Sequence, residues 1–192
     1  MITLETERLL LRAWKEEDIE PFFAMNQDQK VMEFFPSLWS MSMVTEFINR
    51  MSRQLAEKSF TLWATEEKSS KQFIGFIGLN SPNWEAPFTP CVEIGWRLAA
   101  EFWGKGYATE GAKRVLEYAF NSLKLHEVVS FTVPDNLKSR KVMEKIGMNR
   151  DLNGDFLHPK LAPEHPFARH VLYTIRDLST NSVDNSVHKQ VS

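Results

Sequence analysis

The chain has 192 residues, 43% of them hydrophobic and 12% aromatic, enough for one domain with a sizeable core. Its 23 basic and 25 acidic side chains leave a net charge of -2, without the basic excess that marks a nucleic-acid partner. The single cysteine, Cys91, excludes an intrachain disulfide and a multi-cysteine metal cage, and the chain offers neither a signal-like N-terminus nor an apolar run of about 18 residues, so a cytoplasmic protein without a membrane partner is expected, monomeric or homodimeric.

Leu4 to Trp14 reads as a first strand, and Asp18 then opens an amphipathic stretch with Ile19, Phe22 and Phe23 at helical spacing. Pro36 interrupts the next apolar run, and Ser40 is placed to cap a second helix through about Lys58, with Met43, Phe47, Met51 and Leu55 recurring every four residues. Ser59 to Ala64 and Phe73 to Leu79 read as an antiparallel hairpin joined by EEKSSKQ. The proline-rich NSPNWEAPFTP is a loop leading to a strand at Val92 to Leu98. Past Gly106 an apolar stripe holds for over three turns, the best helix in the chain. Val128 to Val133 is a strand, and Asp135 or Asn136 caps a helix ending at Gly147. A Pro- and His-rich stretch follows, then a last strand from Phe167 to Ile175. Residues 1–176 form one domain on this reading, and Asp177 to Ser192 is a polar tail expected to be disordered.

Between the strand at Val92 and the best helix stands Trp103-Gly104-Lys105-Gly106-Tyr107-Ala108. A Walker A loop is excluded because Tyr107 follows Gly106, and a G-x-G-x-x-G loop because Thr109 holds the third glycine position. Two readings of the glycines remain. They turn a strand into a helix, or they bare backbone N-H groups at a positive helix end, which suits a pyrophosphate.

Gly106 and Ala108 match the cofactor loop of the GNAT superfamily of acetyl-CoA-dependent N-acyltransferases, in which Arg or Gln is followed by two residues, Gly, one residue, and Gly or Ala. Asn136, Ser139 and Lys145-Ile146-Gly147-Met148 match its second motif. TERLLLR at Thr6 to Arg12, EIGW at Glu93 to Trp96, and EFWGKGYATEG resemble the ribosomal-protein N-acetyltransferase branch of RimJ and RimL type, which shares the aromatic residue found here at Trp103. The resemblance covers Thr6 to Arg176 and implies a mixed α/β fold, a twisted and mostly antiparallel sheet flanked by helices. It implies transfer of acetyl from acetyl-CoA to a primary amine, in this branch a protein N-terminal α-amine. A small-molecule amine acceptor and a non-catalytic acyl-CoA-binding module are the alternatives.

The resemblance also assigns roles. Backbone groups of Trp96, Arg97 and Leu98 would meet the pantetheine arm, N-H groups from Trp103 to Ala108 the pyrophosphate, and Asn136 and Ser139 would line the far side near the thioester. Lys105 is open to a phosphate or to solvent. Glu93 is either the base that takes the ammonium proton or a carboxylate paired with a neighbouring strand. Many members carry a tyrosine as proton donor to the departing thiolate; this chain has Met143 there, which leaves Ser139 as the nearest hydroxyl.

Phe34, Phe35, Trp39, Trp84 and Phe88 lie on the two proline-interrupted loops, as satellite core or as walls of an acceptor pocket. Pro159 and Pro166 deny His158, His165 and His170 a shared helix face, so no metal is expected. Cys91 reads as an ordinary strand residue, since direct transfer to an amine needs no acyl-enzyme.

Overall fold

The computed structural model describes residues 2–177, so the tail beyond Asp177 lies outside the described residues. Its first strands are β1 (Leu4–Glu5) and β2 (Leu9–Arg12). They correct the single strand expected over Leu4 to Trp14. Thr6 closes a turn between them, its backbone N-H donating to the Leu9 carbonyl at 3.0 Å while its hydroxyl accepts from the Leu9 N-H at 2.9 Å. The turn leaves Leu4, Leu9 and Leu11 buried together.

Two helices follow, α1 (Ile19–Met25) and α2 (Met41–Lys58). Ser40 caps α2 by accepting the Met43 N-H at 3.2 Å. Asp18, buried at the head of α1, receives a two-pronged ion pair from Arg12 at 2.8 and 2.9 Å and ties α1 to the sheet. The hairpin is β3 (Leu62–Glu67) and β4 (Gln72–Asn80), so Glu66 and Glu67 belong to the strand rather than to the connection. Then come β5 (Glu93–Leu98), α3 (Tyr107–Asn121), β6 (Glu127–Thr132) and α4 (Leu137–Lys145), with Asn136 as the cap of α4.

The sheet ends with β7 (Asn149–Leu157) and β8 (Arg169–Arg176). The chain after Leu152 reads only as Pro- and His-rich up to Phe167, and the sequence predicts no strand over residues 149–157. Their strand hides from a periodicity reading because its apolar positions do not alternate. Leu152 is 82% exposed, and the register against β8 slips between Asp151 and Phe156.

The eight strands run in the order β1-β2-β3-β4-β5-β6-β8-β7, and every neighbouring pair is antiparallel except β5 and β6. One face carries a core that includes Ile77, Ile94, Val115 and Met143; the other packs Phe22, Phe47, Met51 and Phe76. Among the described residues no helix is long and apolar enough to cross a membrane.

Candidate active site

The parallel pair β5 and β6 meets at a single register pair, Glu93 with Val129, and then diverges. Ala99 N-H donates to the Ile74 carbonyl at 2.9 Å. The alternation of an antiparallel ladder therefore turns the backbone groups of Arg97 toward β4 and those of Trp96 and Leu98 toward the gap. Two acceptors on the gap side are already taken: the Ile94 carbonyl by the Ser130 hydroxyl at 2.9 Å, and the Leu98 carbonyl by Trp103 Nε1 at 2.7 Å. An extended chain lying in the gap would meet Trp96 N-H, Trp96 C=O and Leu98 N-H.

Gly104 and Gly106 take φ of +74° and +85°, in the left-handed region that costs a side chain about 1–2 kcal/mol. This turn delivers the chain into α3 with the first N-H groups of the helix unpaired by the helix itself. Arg8, on the turn between β1 and β2, braces the loop. It donates to the Lys105 carbonyl at 3.0 Å and to Glu110 at 2.7 Å, and its guanidinium lies 4.5 Å from the Tyr107 ring centre. The polar residues of TERL thus hold the glycine loop from behind.

A cavity of about 360 Å³ opens in front of the loop, lined by Trp103, Gly104, Gly106, Tyr107 and Ala108. Lys105 is not on its wall; its ammonium packs 4.9 Å from the Phe102 ring. Lys30, Lys138, Lys141 and Lys145 also line this cavity; of these the sequence singled out only Lys145, as part of the second motif and not as a phosphate ligand. The signal was present, since positions 138, 141 and 145 share one face of a helix. Lys138 stacks on Trp103 at 4.3 Å, which puts a charge on the loop where the general motif has Arg or Gln. The unpaired helix N-H groups and this lysine stripe suit a pyrophosphate and a further phosphate, and the β5–β6 gap suits a pantetheine chain.

A second cavity, of about 340 Å³, lies across the gap and shares Phe34, Trp96, Arg97, Asn136 and Ser139 with the first. Phe34, Phe35, Trp39 and Trp84 all stand on its wall. Glu93 lies within it, and Asn80 Nδ2 donates to Glu93 Oε2 at 3.2 Å. Burial pushes the Glu93 carboxyl up to about 7, against the opposing pull of the Asn80 bond and of the Arg50 charge. Glu93 thus hydrogen-bonds a neighbouring strand and also lines this cavity, a placement compatible with either reading.

Asn136 spends its side chain locally, accepting from the Ser139 N-H at 3.2 Å and donating to Thr132 Oγ1 at 3.1 Å. Ser139 lines both cavities. Met143 is buried in the core, on neither wall. His158, on the connection after β7, and His170, on β8, come together with ring centres 5.1 Å apart on the wall of the second cavity. Burial first, then His170 and Lys160, push His158 down to about 4, and burial lowers His170 as well, so both rings are neutral at pH 7. Cys91 is half-buried, its thiol raised to about 11 by burial and by Glu93 and Glu127, which removes it as a nucleophile at neutral pH.

Residues 8–149 match the family model described as acetyltransferase (GNAT) domain. An uncharacterised N-acetyltransferase of Bacillus subtilis, YnaD, is 31% identical over 149 residues, which is 77% of this chain and 83% of that protein. The spermidine N(1)-acetyltransferase of Vibrio cholerae is 26% identical over 73% of this chain and 78% of its own length. A crystal structure of a GNAT-family acetyltransferase from Bacillus anthracis superposes with a TM-score of 0.73 at 26% identity, covering 91% of this chain and 98% of the other.

Proposed function

The chain belongs to the GNAT acetyltransferase family and is an acetyl-CoA-dependent N-acetyltransferase, and from that premise we propose that its two cavities divide the reaction between cosubstrate and acceptor. The loop from Trp103 to Ala108 and the lysines of α4 hold the phosphates, and the open backbone of Trp96 and Leu98 holds the pantetheine chain. Acetyl-CoA supplies the electrophile, the acyl carbon of its thioester.

The acceptor is a primary amine lodged in the second cavity. Lysine-type amines titrate near ~10.4 and α-amines near ~8, so the amine arrives as an ammonium and must lose a proton before it attacks. Glu93 takes that proton. The N-C bond then forms as the C-S bond breaks, and the nitrogen, left with one proton too many by its attack, gives it to the departing thiolate, relayed through Ser139, the hydroxyl residue that lines both cavities. Asn136 serves as the cap that holds Ser139 at the head of α4.

The observation that carries this reading is the place of Glu93 on the wall of a cavity that shares Trp96, Arg97, Asn136 and Ser139 with the cavity in front of the glycine loop, where burial pushes its carboxyl up to about 7. A protein N-terminal α-amine is the second reading of the acceptor, favoured by TERLLLR and EIGW. A screen for thiol release from acetyl-CoA over N-terminal peptides and small amines tests the proposal. Amine-dependent release supports it; no release with any amine, in a protein that CoA stabilises against heat, contradicts it.

A further inference from the structure

Among the described residues two buried side-chain atoms have no hydrogen-bond partner, Asn80 Oδ1 and Arg97 Nε. Both residues line the acceptor cavity, and the two atoms are of opposite kind: an acceptor without a donor and a donor without an acceptor. Asn80 sits directly across the ladder from Glu93, while Arg97 sits farther along β5 on the same face. At roughly 3.3 Å per residue the two positions are about 13 Å apart along the strand.

Arg97 is only 8% exposed. Its Nη1 donates to Asn26 Oδ1, and its guanidinium is wrapped by Phe35 at 4.0 Å, Trp39 at 4.4 Å and Phe76 at 5.5 Å. Ring faces offset part of the cost of burying a cation, but among the described residues no carboxylate contributes; burial alone acts on its charge. With Nη1 engaged, the edge formed by Nε and Nη2 has no hydrogen-bond partner among the described residues, and its buried Nε is a polar demand that a side-on carboxylate would meet. The cavity wall carries Arg50, Arg97 and Lys160 against Glu93, an excess of positive charge that repels a polycation.

We infer that the acceptor carries a carboxylate several bonds from its amine, the amine lodged against Glu93 and Asn80 and the carboxylate against the unpartnered edge of Arg97. The inference rests on the reading of this cavity as the acceptor site. It makes the preferred substrate an amino acid with separated ends, and a polyamine a poor one.

The test compares thiol release from acetyl-CoA with β-alanine, 4-aminobutyrate and 6-aminohexanoate against alkylamines and diamines of matched length. The expected result is a kcat/KM at least tenfold higher for the best ω-amino acid than for its alkylamine. Arg97→Gln erases that ratio through KM, and Arg97→Lys, which keeps the charge without the fork, recovers part of it. Stabilisation by CoA controls for folding in both variants. Equal or better turnover of the alkylamine or diamine by the unmodified protein, or an equal effect of Arg97→Gln on both, overturns the inference. Calorimetry of N-acetyl-6-aminohexanoate and an N-acetyl alkylamine with the CoA-bound protein gives an independent arm. If no amine releases thiol, the acceptor reading fails and the inference falls with it; if thiol is released, Arg97-dependent preference for the carboxylate in this arm supports the inference and equal binding overturns it.

Discussion

Asn80 Nδ2 donates to Glu93 Oε2 at 3.2 Å across the register pair that joins β4 to β5. The bond favours the ionised carboxylate and holds down an affinity that burial has raised to about 7. Asn80→Leu removes the bond and leaves the burial, so Glu93 should bind its proton more tightly. The rising limb of kcat/KM should then move to higher pH, and Arg50→Gln should move it the same way by deleting an opposing charge. A pH profile of each variant checks this; a limb that stays in place would show that it belongs to another group.

The same raised affinity carries a stability cost. Glu93 in the unfolded chain titrates near 4.5 and in the folded protein near 7. Between those values the folded state keeps a proton that the unfolded state has lost, so this contribution to stability is present below about 4.5 and fades as pH rises through about 7. Glu93→Gln should therefore melt close to the unmodified protein at pH 5 and higher than it at pH 8, by the equivalent of about 1–3 kcal/mol. Thermal melts at the two pH values decide it, and a variant less stable at pH 8 would mean that the carboxylate is satisfied by the protein.

In the glycine loop, a Cβ at Gly104 would meet nothing within 4 Å, whereas one at Gly106 would come within 3.5 Å of Arg8 Nη2. Gly104→Ala should cost only the left-handed strain, about 1–2 kcal/mol, and keep stabilisation by CoA. Gly106→Glu should abolish that stabilisation by placing a carboxylate beside the phosphate donors. Melting curves with and without CoA read both; full CoA stabilisation of Gly106→Glu would refute the loop assignment.

The lysines of the first cavity give a separate handle. Lys138→Gln should weaken CoA binding by roughly tenfold at low salt, since one phosphate contact is worth on the order of 1 kcal/mol, and the difference should shrink as salt is raised. Calorimetry at two ionic strengths measures it. A salt-independent loss would instead point to the stacking of Lys138 on Trp103 as the cause.

What the sequence made legible was local. Ser40, Gly106, Asn136 and the stripe of α3 announce their helix ends and faces within a few residues, because capping and periodicity are short-range. The β7 strand was not legible, since its pairing depends on β8 and tolerates an exposed Leu152. The environment of Arg97 was hidden for the same reason. Asn26, Phe35 and Phe76 reach it from three distant segments, so EIGWRL gives its backbone position but not the absence of an anion. The pairing of Thr6 and Arg8 with Glu110 likewise explains TERLLLR only once β1, β2 and α3 are in place.

The central claim is that Glu93 is the base of the acetyl transfer, and the pH dependence of kcat/KM for one identified amine, measured on the unmodified protein and on Glu93→Gln, tests it most directly. The unmodified protein should rise through about pH 7 as the carboxyl ionises. Glu93→Gln should bind CoA normally, run at least ~10²-fold slower at pH 7, and climb about tenfold per pH unit toward the pKa of the free amine, where the base is no longer needed. Equal rates at pH 7 would contradict the account, and a loss of the same size at every pH would make Glu93 a residue that positions the amine without taking its proton.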